Sequence, residues 1–479
     1  MSVPRPLVIG NRRPSTARTE PIRNPFSGAA VAEVCLADAA LAEEAMRSTD
    51  QAARDMARLP AYQRAQACEG IAQRLRERLE EFAALMVAEA GKPIADARRE
   101  VGRAIQTFVV AAEEAKRLGG EVVPLDWTPG LETYTALSRR VPVGAVLGIT
   151  PFNFPLNLVA HKVAPALAAG NAILIKPAPQ TPLTALLLGE VVGEVGLPPG
   201  ALNVLPCDNQ IAQRLVEDPR FKVFSFTGSA AVGWMLKAKA GKKRVLLELG
   251  GNAGVIVEPD ADVEWAAQRC AAGGYGYAGQ TCISVQRVLV HESVRARFTE
   301  AFVAKVRALQ AGDPTREETV VGPVINEAAA QRIEHWIEEA RSQGARVLVG
   351  GARHGNIVEA AVLTDVGPGM KVSCEEVFGP VVSITGYQTF EEALSILNDS
   401  PYGLQAGVFT RDVHRIFHAF RVLEVGAVLA NEIPTFRADH MPYGGVKDSG
   451  LGREGVRYAM EEMTEPRLLI LNLPEGPRA

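Results

Sequence analysis

The sequence predicts an α/β fold: a doubly wound parallel sheet, a second α/β domain and a small β element. From Gly144 onward short aliphatic runs alternate with helix-length segments. Unbroken apolar strands separated by helices belong to parallel sheets covered on both faces. A second series of the same kind begins past Gly251. At 479 residues the chain also exceeds what one hydrophobic core usually organises.

Taken in chain order, residues 38–120 read as helices. Apolar positions recur three and four apart through 65–87, interleaved with Arg and Glu, as an amphipathic helix requires. Residues 121–141 read as a hairpin, with Thr133-Tyr-Thr-Ala-Leu-Ser-Arg139 as a polar-rich strand. Strands at 145–149, 172–175, 202–205, 223–226 and 245–249, with helices at 156–169, 183–195, 211–216 and 230–240, build the first sheet. Strands at 255–257, 285–290, 347–348, 381–384 and 427–429 and helices at 263–272 and 294–309 build the second. The tail 467–473 is strand-like without a sequence neighbour, and such an edge needs a partner. Hairpin and tail are therefore expected to pair between subunits of a homodimer or homotetramer. The expected division is 1–120 with 142–251, then 252–462, with 121–141 and 463–479 as the oligomerisation element.

Composition excludes several function classes. Forty-seven per cent hydrophobic and 22% charged residues are ordinary globular proportions, unlike those of disordered, collagenous or disulfide-scaffold chains. A formal charge of −4 without a basic stripe argues against a nucleic-acid partner. The longest apolar stretches, 145–149 and 172–175, are far too short to span a membrane. Met1-Ser-Val-Pro-Arg-Pro6 lacks a basic-then-apolar signal organisation. The six cysteines contain no Cys-x-x-Cys pair, which speaks against a zinc ribbon or a disulfide framework. A soluble, cytoplasmic, reduced, metal-free protein is the expectation. There is no G-x-S-x-G elbow and no phosphate loop ending in Gly-Lys-[Ser/Thr]. His414 and His418 stand four apart, but Arg415 occupies the glutamate position of a zinc-protease motif, so a solvated helix face is expected.

Three polar segments follow predicted strands, where ligands of such sheets bind. They are Thr150-Pro-Phe-Asn153-Phe-Pro155, Glu248-Leu-Gly250-Gly251-Asn252 and Phe226-Thr-Gly228-Ser229. The last opens a helix, whose free N–H groups suit a pyrophosphate. Gly274-Tyr-Gly276-Tyr-Ala-Gly279 matches the dinucleotide fingerprint letter for letter, but it follows a helix and leads into a strand. That context is reversed, so the glycines are read as points of close backbone approach. Gly279-Gln-Thr-Cys282 follows at once. Cys282, at the junction of a glycine-rich segment and a strand, is placed to present its sulfur. Cys35, Cys68, Cys207, Cys270 and Cys374 read as buried or inert.

In these segments the chain resembles the aldehyde dehydrogenase superfamily from about residue 20 to its end. The resemblance also rests on Lys176-Pro-Ala-Pro-Gln-Thr-Pro182, Leu247-Glu248-Leu-Gly-Gly-Asn252 and Glu375-Glu376-Val-Phe378-Gly-Pro380. Asn398 with Tyr402-Gly-Leu404, and Pro442-Tyr-Gly-Gly-Val-Lys-Asp-Ser-Gly450, complete it. It implies an aldehyde dehydrogenase fold with a Rossmann-like cofactor domain and a catalytic domain. The implied activity is NAD(P)-dependent oxidation of an aldehyde to an acid. Cys282 would form a thiohemiacetal and then a thioester; Asn153 would serve the oxyanion and Glu248 would activate water. Lys162 and Glu465 match positions that pass the proton onward.

Ile149, Thr150, Pro151 and Phe152 would lie near the nicotinamide, and Lys176, Ala178 and Pro179 near the adenine-side ribose. Gly228, Ser229 and Val232 would take the pyrophosphate, with Leu249, Gly250, Glu376 and Phe378 around the nicotinamide ribose. Phe154, Thr281, Ile283, Arg437 and His440 would face the substrate.

Three departures matter. Pro179 stands where NAD-preferring members often carry a ribose-binding glutamate, which makes both NAD and NADP admissible. Phe152 replaces a more frequent tryptophan. Thr281 stands where glyceraldehyde-phosphate-specific members place an arginine. Tyr277–Arg287 and Thr435–Tyr443 resemble the lactaldehyde and phosphonoaldehyde branch, implying small hydroxylated or anionic aldehydes. CoA-acylating relatives commonly lack the base at Glu248. A non-catalytic protein on this scaffold would have lost Cys282 or Asn153.

Overall fold

Two parallel sheets carry the fold in the computed structural model, which describes residues 3–473. The outermost ends of the expected division, 1–2 and 474–479, lie outside the described residues. The first sheet has strand order Gly450–Leu451, Arg244–Glu248, Phe221–Thr227, Ala145–Ile149, Ala172–Lys176 and Leu202–Val204. All pairs are parallel except the first. Ala145–Ile149 and Ala172–Lys176 are buried at every position, which is why they read as unbroken apolar runs. The helices Ala39–Met56, Ala61–Glu77, Leu79–Ala90 and Ile94–Ala115 fill the region expected to be helical.

The second sheet runs Arg346–Val349, Ala361–Thr364, Val381–Tyr387, Arg287–His291, Gly254–Val257, Gln405–Phe409 and Ala427–Ala430. It is parallel apart from the Arg346–Val349 edge. Each sheet has its own hydrophobic core.

Three expectations are corrected. Hairpin and tail pair within one chain: Thr464–Asn472 lies antiparallel to Tyr134–Pro142, which pairs with Val122–Pro124. The long register from Thr464↔Pro142 to Asn472↔Tyr134 pairs one edge of the tail within the chain. Residues 450–463 return to the first lobe: Gly450–Leu451 joins its sheet and Val456, Met460 and Met463 join its core. The chain crosses back because the antiparallel edge of the first sheet would otherwise stay unpaired. Finally, the central strand of the second sheet starts at Arg287, two residues later than expected, since Val285 and Gln286 bond to Gly273 and Ala253 outside the ladder. Among the described residues no helix is long and apolar enough to cross a membrane.

Candidate active site

Loops at the carboxyl ends of the strands enclose a cavity of about 840 Å³, within the range of small-molecule sites. Asn153, Glu248 and Cys282, far apart in sequence, all line it. So do all fourteen residues expected at the cofactor, together with Phe154, Thr281, Ile283 and Arg437.

The backbone before Cys282 is bent into an uncommon shape. Tyr277, Ala278 and Gly279 have φ of 50°, 52° and 70° in succession, and non-glycine residues there are strained. The surroundings hold them in place. The Tyr277 hydroxyl donates to the Ala90 carbonyl at 3.3 Å, and the Lys92 ammonium sits 4.4 Å from its ring centroid. A Cβ on Gly279 would stand 2.2 Å from the Gly379 carbonyl oxygen, so this glycine marks close backbone approach, whereas Gly276 has nothing within 4 Å and does not. The Gln280 side chain accepts the Ile325 N–H at 2.9 Å. Asn153 Nδ2 donates to the Gln280 carbonyl at 2.9 Å, which leaves its second amide hydrogen free. The Cys282 backbone N–H donates no hydrogen bond among the described residues.

Cys282 is half-buried, with Sγ 3.1 Å from the Tyr443 hydroxyl. Burial pushes its thiol up to about 12, and the Tyr443 contact pulls the other way. Gly251 brings the carboxylate-bearing loop against Cys282: a Cβ there would lie 2.2 Å from the Cys282 carbonyl oxygen. Ser449 pins the same loop, its hydroxyl donating to the Gly250 carbonyl at 2.7 Å and its carbonyl accepting the Leu249 N–H at 3.0 Å.

Glu248 ends its strand buried, with Oε2 unpartnered. Burial first, and then the neighbouring Glu454 carboxylate, hold it well above the ordinary carboxylate range. Lys162 is fully buried and donates to Ser225 and Thr227 at 2.8 Å and to Glu454 at 3.2 Å. This corrects the expected pairing. Glu465 is exposed and bonds to Arg244 at the start of the strand Arg244–Glu248, whereas Glu454, unmarked in the sequence reading, is the carboxylate beside Lys162. Arg437 donates to the second oxygen of Glu454 at 2.9 Å. Burial raises Glu454, but Lys162 and Arg437 outweigh it and bring it to about 2.

The other end of the cavity is built for a long polar ligand. The helix Ala230–Lys239 begins at Ser229, whose side chain caps nothing. Glu376 Oε1 accepts the Gly251 N–H at 2.9 Å, and a Cβ on Gly250 would lie 2.6 Å from Oε2. Burial raises Glu376 to about 7. Phe378, with φ of 47°, meets Phe152 edge-on at 5.8 Å. Lys176 is buried, and burial lowers its ammonium below the ordinary lysine range.

A model of the aldehyde dehydrogenase family matches residues 12–469. The chain belongs to the aldehyde dehydrogenase family. It is 44% identical over 468 residues to the 3-sulfolactaldehyde dehydrogenase of Priestia aryabhattai, covering 98% of each chain. Aldehyde dehydrogenase 21 of Physcomitrella patens, solved with its reaction product succinate, is 42% identical with a TM-score of 0.96, over 99% of this chain and 100% of that one. The NADP-dependent glyceraldehyde-3-phosphate dehydrogenase of Bacillus halodurans C-125, complexed with NADP, is 35% identical with a TM-score of 0.96, again over 99% and 100%. The fold is therefore the aldehyde dehydrogenase fold, and the chain is an NAD(P)-dependent oxidoreductase converting an aldehyde to an acid.

Elsewhere in the cavity of this aldehyde dehydrogenase, Phe154 meets Tyr277 edge-on, with the Lys92 ammonium 3.7 Å from the Phe154 ring centroid. His440 is exposed and outside the cavity lining, which corrects its expected place. Its loop is instead anchored by Asp439, which accepts from Arg103 at 2.8 Å and Asn157 at 3.1 Å and lies 2.9 Å from His161 Nε2. Sequence reasoning missed Arg103, Lys92, Tyr443 and Glu454. The last two lie in or just beyond the quoted Pro442–Gly450 motif, which was the available signal.

Proposed function

We propose that Cys282 is the nucleophile, Asn153 with the Cys282 N–H the oxyanion site, and Glu248 the base. In this reading they convert a small aldehyde with an anionic or hydroxylated tail to its acid. The observation that carries this reading is the single cavity shared by thiol, carboxylate, carboxamide and the long polar cleft. Cys282 Sγ adds to the carbonyl carbon, and the developing alkoxide meets the free Asn153 amide hydrogen and the free Cys282 N–H. Bound NAD(P) supplies the hydride acceptor. Lys176 and Pro179 would hold its adenine-side ribose, Ser229 and its helix the pyrophosphate, and Glu376 the nicotinamide ribose. Glu248 takes a proton from water, which attacks the thioester carbon and frees the acid. Lys162 beside Glu454 supports a route for protons away from the interior.

Cations in the cavity lining support an anionic tail. Arg437 and Arg103 both line the cavity, and their guanidinium groups suit a carboxylate or sulfonate. The sulfonated and succinate-related names of the relatives agree. An aldehyde panel with both dinucleotides tests this. A carboxylate-tailed aldehyde is expected to exceed its uncharged equivalent about tenfold or more in kcat/KM; equal values would remove the anionic preference. Both dinucleotides are expected to work, because Pro179 offers no carboxylate to repel a 2′-phosphate. An NAD preference beyond about a thousandfold would overturn that point. Asn153→Ala is expected to lower kcat by roughly 10²–10³ with little change in KM, as read from steady-state rates.

We also propose a homo-oligomer. Leu468, Leu469 and Ile470 are half-exposed on Thr464–Asn472, whose far edge is unpaired among the described residues. Such a strand favours association; a monomeric mass by light scattering would refute it. Six free cysteines support a reducing, cytoplasmic setting.

A further inference from the structure

We propose that Tyr443 is a catalytic residue whose hydroxyl donates to the Cys282 sulfur as it becomes a thiolate, stabilising the anion and fixing its direction. The inference rests on the reading of Cys282 as nucleophile. The hydroxyl lies 3.1 Å from Sγ, inside the 4 Å reach of a sulfur contact, and Tyr443 is buried. Its place is fixed by more than packing. Its backbone exchanges two hydrogen bonds with Glu454, at 3.0 and 2.6 Å. The Glu454 carboxylate holds Arg437 at 2.9 Å, and the Arg437 guanidinium lies 3.7 Å from the Tyr443 ring centroid. The circuit closes on itself: Tyr443 is registered to Glu454, Glu454 aims Arg437, Arg437 covers the ring, and the ring aims its hydroxyl at the sulfur.

A guanidinium over the ring is attracted to its face and favours negative charge nearby. As the thiol proton leaves to water in the cavity, the phenol switches from accepting a hydrogen bond from the thiol to donating one to the thiolate, and its own proton stays on oxygen throughout. When the thiolate adds to the aldehyde, the S–C bond forms, the carbonyl π bond breaks, and the hydroxyl is released for the next turnover. The other charged groups facing the sulfur are Glu376 and Glu248, which oppose the thiolate, and Arg437, which favours it. The hydroxyl is thus the direct donor against a burial that disfavours the anion.

The test is alkylation of the full chain by iodoacetamide between pH 6 and 10, read by mass spectrometry on the Cys282 peptide, in wild type and Tyr443→Phe. A donor to a charged group is worth about tenfold or more. Tyr443→Phe is therefore expected to slow alkylation at pH 8 about tenfold, move the rate–pH curve up by about one unit, and lower kcat/KM alongside. Arg437→Gln keeps the tyrosine and removes the cation, and is expected to shift the curve the same way but less. Unchanged NADPH binding confirms that each variant is folded. A curve in Tyr443→Phe that overlays wild type overturns the inference. If Cys282→Ala keeps its dehydrogenase activity, the underlying reading fails instead.

Discussion

Cys282→Ala is expected to abolish turnover, with kcat falling by about 10⁴-fold or more, because alanine cannot form the covalent adduct on which both half-reactions depend. The loss belongs to chemistry and not to folding. Cys282 contributes little to either large core, packing only in a small cluster with Ile283, Leu404 and Tyr443. Dinucleotide binding should survive, since the residues around Ser229 and Glu376 do not touch the sulfur. Steady-state formation of reduced nicotinamide, alongside fluorescence titration of bound NADPH, separates the two. A variant that binds and still turns over would show that another group carries the aldehyde.

Glu248→Gln is expected to stop the reaction halfway. Thiohemiacetal formation and oxidation do not need the base, so reduced nicotinamide should appear in a burst of about one equivalent per site. The following steady rate should fall by about 10²–10⁴. Rapid mixing and intact mass would show the acylated protein accumulating. The pH behaviour has a definite sign. Burial and Glu454 raise the Glu248 carboxyl well above its ordinary value, so at low pH it is protonated and cannot accept a proton. The deacylation rate should climb as pH rises through its titration, and the glutamine variant should lose that limb. With the base buried beside Cys282, added CoA should not be required for acid release, in contrast to CoA-acylating relatives.

The places of Asn153 and Glu248 in the cavity were legible because one follows the loop after the strand Ala145–Ile149 and the other ends the strand Arg244–Glu248, where chain direction alone decides which end of the sheet a side chain occupies. Cys282 was legible through its glycine-rich approach, although the left-handed turn at Tyr277 and Ala278 was not, since neither residue type favours that conformation. Glu454 was missed for a different reason. Which of two nearby acidic residues meets Lys162 depends on how the segment after Gly450 joins the edge of the first sheet, and only two residues of pairing decide it. Glu465 falls one residue inside the long tail strand, where its side chain points away toward Arg244. The pairing of tail with hairpin inside one chain was likewise hidden, because more than 320 residues separate the partners and no local pattern encodes so distant a match.

The left-handed run at 277–279 carries a cost of order 1–3 kcal/mol at each non-glycine position, and that cost is met by contacts from Ala90, Lys92 and Gly379. The sulfur is therefore held somewhat like the hammer of a cocked mechanism, by latches that belong to other parts of the molecule. Lys92 also forms a fully buried ion pair with Glu100, which accepts the Leu156 and Asn157 N–H groups, so the latch on the turn and the seating of the helix beneath the cavity share one residue.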